Sequence, residues 1–190
     1  STLRRAALAQ GFLSIAFSAF WSTLAVMLSE HYHLGSAIAG AFGIAGAAGA
    51  LAAPMAGHLA DKVGAAKVTQ LGALLVTVSF ALMFLLPALP VQGQWLLIAL
   101  SAVGFDLGLQ SSLVAHQNLV YSLEPLARGR LNALLFTMVF IGMALGSVLG
   151  SQVYALANWE GVVVLATFSS AIALVIRLTG NPSLSKPSVA

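Results

Sequence analysis

Asp106 stands in the stretch FDLGLQSSLVAHQ, residues 105–117, within a long apolar run, and no other acid lies inside such a run. A carboxyl held away from water disfavours its charged form, so it can take up and release a proton if nothing basic sits beside it. Gln110, Leu113 and Gln117 follow at spacings of four, three and four, which places them on one helical face with Asp106. Amides on that face can hold water or contact a polar solute. A second polar series, Gln10, Ser14, Ser18 and Ser22, recurs every fourth residue near the start of the chain. It predicts one polar stripe, either lining a cavity with Trp21 or joining helix to helix. Phe12, Phe17 and Phe20 share with Trp21 the choice between packing and stacking on a solute. A third group is charged: Asp61 and Lys62 in GHLADKVG, residues 57–64, with Arg128 and Arg130 further on.

Other chemistries are poorly served. The four histidines and five acids show no metal-ligand spacing, and no hydrolytic or redox constellation is present. There is no phosphate-binding P-loop and no cysteine, so neither an enzyme nor a cofactor is expected. His116 reads as an interfacial histidine, solvated or hydrogen-bonded, or else as a proton relay. His31, His33 and Glu30 read as loop residues rather than ligands.

These side chains are set in an unusual solvent. The 190 residues are 59% hydrophobic and 7% charged, with mean hydropathy +0.97. Soluble domains carry about 25% charged residues, so this is a membrane composition. The net charge of +3 points to basic loops on one side of a membrane, not to nucleic acid. Membrane lipid is the first partner implied.

A bilayer core about 30 Å thick takes about 20 apolar residues of helix. Six runs qualify: roughly 6–28, 36–59, 67–86, 95–119, 131–154 and 159–178. The basic residues Arg4, Arg5, Lys62, Lys67, Arg128, Arg130, Arg177 and Lys186 are all eight in the chain. They fall before the first run, between the second and third, between the fourth and fifth, and after the last. Six crossings put those four regions on one side, which predicts cytoplasmic termini. The other loops hold Glu30 and Glu160, and Trp95 and Trp159 are expected at the outer interface. Asp106, eleven residues past Trp95, then lies about 16 Å down its helix, near the midplane. The tail from Thr179 to Ala190 is polar with two prolines and is expected to be disordered.

Between the second and third runs, GHLADKVG reads as a short cytoplasmic turn in which Gly57 and Gly64 permit a tight reversal. The same residues, Gly57, Leu59, Asp61 and Gly64 with basic Lys62 and Lys67, resemble the G-x-L-x-D-x-x-G loop signature of the major facilitator superfamily. Ala65 and Ala66 stand where that family usually has an arginine pair. FWSTLAVML (20–28), FGIAGAAGALAAPMAGHLAD (42–61), FDLGLQSSLVAHQ (105–117) and RGRLNALLFTMVFIGMALGSVLG (128–150) are similar to the C-terminal six helices of bacterial twelve-helix efflux permeases of the drug and sugar proton-antiporter type. The resemblance covers residues 3–178.

It implies an all-α membrane protein, six transmembrane helices as two inverted three-helix repeats, forming residues 1–178 as half of a major facilitator fold. It implies a small-molecule substrate held between this half and an N-terminal half, in the bacterial inner membrane. The first helix of each repeat would line the cavity and the third would face lipid. Asp106 would carry the coupling proton, with Gln110, Gln117, Gln10, Ser14, Ser18 and Trp21 around the cavity. Gly57, Asp61, Lys62, Gly64, Arg128 and Arg130 would form a cytoplasmic latch, in which the acid pairs with basic side chains and helix N-termini. A six-helix protein that pairs with a second copy of itself, and a fragment that transports nothing, are the competing readings.

Two runs are rich in small residues. Gly40, Gly43, Gly46 and Gly49 recur every third residue, and Gly142, Gly146 and Gly150 every fourth. They predict tight packing, or a smooth surface on which two halves rock. Pro54 is expected to bend its helix.

Overall fold

The computed structural model describes residues 1–179, and the described chain is helical. Helix α1 runs Thr2–Tyr32, α2 Ser36–Ala47, α3 Ala52–Val63, α4 Ala65–Ala81, α5 Val91–Tyr121 and α6 Arg128–Leu178. Short 3₁₀ segments join α2 to α3 (Ala48–Leu51), extend α4 (Leu82–Ala88) and precede α6 (Pro125–Ala127). Four helical stretches are long and apolar enough to cross a membrane: Thr2–Tyr32, Ala65–Ala88, Val91–Tyr121 and Pro125–Leu178. The disordered tail expected from Thr179 lies, beyond Thr179 itself, outside the described residues.

The expected second span is interrupted. Pro54 sits in the first turn of α3 and offers no N–H to the carbonyl four residues earlier. Without that bond, the helix tightens to 3₁₀ over Ala48–Leu51. The bend expected from Pro54 is therefore a break one turn before it.

The expected fifth and sixth spans are two arms of α6. Ala157 (φ −138°, ψ 18°) and Asn158 (φ 54°, ψ −155°) leave the helical region between them. A Cβ on Gly161 would lie 2.6 Å from Val153 Cγ1. Eight residues of continuous helix separate such positions by about 12 Å, so the chain doubles back. Asn158 holds this reversal with a positive φ that β-branched residues avoid. Asn158→Val is expected to cost about 1–3 kcal/mol, read as a lower unfolding temperature of the full-length protein in detergent.

Close backbone approaches set the helix directions. Gly142 abuts the Gly11 carbonyl, Gly146 abuts Ile15, and Gly150 abuts Ala19, so α1 and the first arm of α6 run parallel. The second arm returns along α1: Ser169 Oγ donates to the Phe12 carbonyl at 2.7 Å, and Arg5 donates to the Ile176 carbonyl. Helices α4 and α5 run antiparallel, with Gly72 against Gly108 and Ser112, and Gly104 against Ser79. Helix α1 is thus central, and small residues provide the close fit that lipid cannot drive. An aromatic nest of Phe20, Phe80, Phe105 and Trp159 fills the middle. Trp159 follows the Ala157–Asn158 reversal and reaches from that end into the nest, where it is buried.

These pairings gather the basic side chains at one end. Arg5 reaches Thr179, and Gln70 reaches the Arg177 carbonyl. Lys62 and Lys67 flank Gly64, where α3 gives way to α4. At the opposite end Tyr154 donates to Glu30 at 2.6 Å, and Tyr32 donates to Gln94 at 2.6 Å.

A buried carboxyl in a glycine notch

Asp106 lies midway along α5 and is 6% exposed. The carboxyl fits there because α2 and the 3₁₀ segment after it, together helix 2 of the expected six, set glycines against it. A Cβ on Gly46 would strike Asp106 Oδ2, and it would lie 2.6 Å from Trp21 Cζ2. A Cβ on Gly49 would sit 2.5 Å from Asp106 Cβ and 2.9 Å from the backbone nitrogen of Leu107. Gly46 closes α2 and Gly49 stands in the 3₁₀ break, so the interruption of helix 2 falls beside the acid. Asp106 and Trp21 both press on Gly46, which brings those two expected site residues together. Phe17, Phe20 and Phe105 pack edge-on around Trp21 or each other, forming an apolar floor. No ion pair reaches Asp106 among the described residues.

The remaining site residues separate. Gln110 and Gln117 are half-buried on the same helix. Gln117 Nε2 donates to Asn132 Oδ1 at 3.1 Å and to the Tyr121 hydroxyl at 3.4 Å, which ties α5 to α6. The polar series of α1 does not form one stripe. Each step of four residues advances 400° in an ideal helix, a drift of about 40°. Gln10 therefore meets α5, while a Cβ on Gly142 of α6 would lie 3.0 Å from Ser14 Cβ. Ser14 is fully buried and donates to its own helix at the Gln10 carbonyl, 2.8 Å away. Ser18 is half-buried and Ser22 exposed. Gln10 and Ser14 join helices instead of lining a cavity.

Of the readings open for His116, the hydrogen-bonded one holds and the solvated one does not. Its side chain is fully buried, and Nδ1 donates to Gln10 Oε1 at 2.8 Å. Its Nε2 has no partner among the described residues. The bond spans 106 positions, so no local pattern could have revealed it. Arg177 is likewise buried, with Nε donating to Thr69 Oγ1 at 2.9 Å.

The glycine rows divide by task. Gly142, Gly146 and Gly150 face α1 and are buried, so they do not form a rocking surface. Gly40, Gly43 and Gly57 meet nothing within 4 Å. The GHLADKVG segment is also not a turn along its whole length. Helix α3 continues through Val63, and Gly64 alone, at φ 90°, reverses the chain. Gly64 N–H donates to the Ala60 carbonyl at 2.9 Å. One glycine suffices because only a residue without Cβ adopts that conformation freely. Gly57, Asp61 and Lys62 are thus helical. Asp61, Lys62, Arg128 and Arg130 are exposed at the basic end, with Asp61 in the last turn of α3.

A cavity of about 240 Å³ lies at the far end, among Met27, Tyr32, Met83, Trp159 and Glu160. It is lined by none of the residues around Asp106.

The family model of the Major Facilitator Superfamily matches residues 6–189. The chain belongs to that superfamily. A Streptomyces coelicolor protein named "Probable transporter SCO4007" is 34% identical over 168 residues, covering 86% of this chain and 37% of the relative. "Uncharacterized transporter YgaY" of Escherichia coli O157:H7 is 33% identical over 167 residues, covering 86% of this chain and 41% of the relative. The chain spans about two-fifths of the length of these curated relatives. Superfamily membership and the apolar helices make this a multi-pass membrane protein of half-fold size. The relatives' names point to transport, not to enzymatic turnover.

Proposed function

We propose that the chain is one half of a secondary transporter that exports small molecules by alternating access, driven by protons. Asp106 carries this reading. It is a lone acid near mid-helix, set in a glycine notch where α1, α5 and the break of helix 2 converge. A carboxyl without a cation beside it exchanges a proton more readily than it holds a permanent charge. The break in helix 2 supplies a place where backbone geometry changes as the carboxyl gains or loses its proton. The other half of the transporter closes the cavity against Asp106, Trp21 and Gln110. The basic end faces the cytoplasm of a bacterial inner membrane.

Asp61 supports a latch to a partner outside this half. An acid in the last turn of a helix opposes the macrodipole and costs about 0.3–1 kcal/mol. Asp61 sits in that position, exposed, and makes no ion pair among the described residues. Its compensation is a basic side chain or a helix N-terminus of the other half. Asp61→Asn in the full-length protein is expected to slow transport about tenfold with unchanged membrane abundance. The measurement is efflux from loaded cells alongside an immunoblot, and unchanged efflux removes the latch.

The whole reading is tested in inverted vesicles with an imposed pH gradient and no ATP. Ethidium and labelled monosaccharides serve as substrates. Accumulation of any of them that collapses with the gradient supports a proton-driven exporter. Accumulation that survives collapse of the gradient contradicts it.

A further inference from the structure

We propose that Arg5 and Arg177 form a binding site for a phosphate oxyanion, supplied by an anionic phospholipid at the basic end of the bundle. The inference stands on the packing of α1, α4 and α6 and is independent of what the protein transports.

Arg177 is 8% exposed, although arginine keeps its charge in almost any setting. Its Nε donates to Thr69 Oγ1 of α4, which fixes the guanidinium between helices. Arg5, from the first turn of α1, donates to the Ile176 carbonyl and at 3.2 Å to Thr179 Oγ1. Arg5 therefore lies against the last turn of α6, the turn from which Arg177 reaches across to α4. Gln70 Nε2 donates to the Arg177 carbonyl at 3.1 Å, which ties α4 to that turn.

The local field is positive from several sources. The N-termini of α1 and α4, at Thr2 and Ala65, lie at this end, and exposed Lys67 is in the first turn of α4. Helix N-termini add positive potential to that of the arginines. The five acids of the chain are Glu30, Asp61, Asp106, Glu124 and Glu160. None pairs with either arginine among the described residues. The C-termini of α3, α5 and α6 lie at this end too and oppose the contribution of the N-termini, which leaves the side-chain charges to set the field. A buried cation without a counter-ion is costly, so an anion is required.

A phosphate diester meets the requirement. Guanidinium forks match its oxygens in charge and geometry. The cluster sits where apolar helices end and basic residues begin, the position at which a spanning helix meets lipid headgroups.

The test is native mass spectrometry of the full-length transporter in detergent, titrated with dioleoylphosphatidylglycerol, with dioleoylphosphatidylcholine or with inorganic phosphate. Phosphatidylglycerol is expected to bind saturably and more tightly than phosphatidylcholine. Arg5→Gln and Arg177→Gln should each weaken it about tenfold, the loss of one charge-assisted contact. Arg4→Gln removes the same charge from an exposed neighbour and should change affinity less than about twofold. If Arg177→Gln does not fold, the half-exposed Arg5 carries the comparison. Binding of inorganic phosphate alone, with the same arginine dependence, supports the oxyanion site and makes its ligand soluble. Equal binding of the two lipids with no phosphate binding, or equal losses in Arg4→Gln and Arg5→Gln, overturns the proposal.

Discussion

Asp106→Asn in the full-length transporter is expected to abolish accumulation driven by a pH gradient while leaving substrate exchange across the membrane intact. Asparagine has nearly the shape of aspartic acid, so it fits the notch made by Gly46 and Gly49. It cannot exchange a proton. A gradient shifts a two-state equilibrium only through a group that binds the proton differently in the two states. With that group removed, the substrate still moves down its own gradient, and exchange of labelled for unlabelled substrate persists. Vesicle uptake with and without the gradient separates these two outcomes. A variant that lost both would have lost substrate binding or folding, and one that kept both would show that the proton is carried elsewhere.

The second large effect is structural. Gly146→Ala is expected to destabilise the protein by about 3 kcal/mol or to prevent its folded accumulation. The new methyl group would strike the Ile15 carbonyl oxygen and would lie 2.9 Å from Ile15 Cα. Every neighbour named there is backbone, so relief requires α1 and the first arm of α6 to separate. Gly43→Ala is the matched control, because nothing lies within 4 Å of that position. There the exchange should be neutral or stabilise by up to about 1 kcal/mol. Tryptophan-monitored unfolding of both variants in detergent provides the comparison, and equal unfolding temperatures would contradict the close approach.

Much of the architecture was legible because the bilayer acts on every residue. Apolar runs and the alternation of Lys and Arg record the same partition between lipid and water, so they located helices and loops together. The GHLADKVG segment was legible as a reversal but not in its geometry. A helix continues until one residue leaves it, and composition does not say that Gly64 alone does so while Gly57 stays helical. The break at Ala48–Leu51 was displaced from Pro54 because proline acts on the carbonyl of the preceding turn. Asp106 stood out because a lone acid in an apolar run is costly wherever it packs. The pairing of Gln10 with His116 and the burial of Arg177 did not stand out. Both depend on contacts between helices far apart in sequence, and a histidine or arginine near the end of a span looks the same whether it points outward or inward. The serine series failed as a stripe because a four-residue repeat drifts around the helix.

Asp106 as the proton carrier is tested most directly by infrared difference spectroscopy of the full-length protein in lipid, following the carbonyl stretch of protonated carboxyl groups as pH is changed across the range in which transport runs. A band that appears and disappears in the wild type and is missing from Asp106→Asn is the expected result. Identical difference spectra for the two proteins would contradict it.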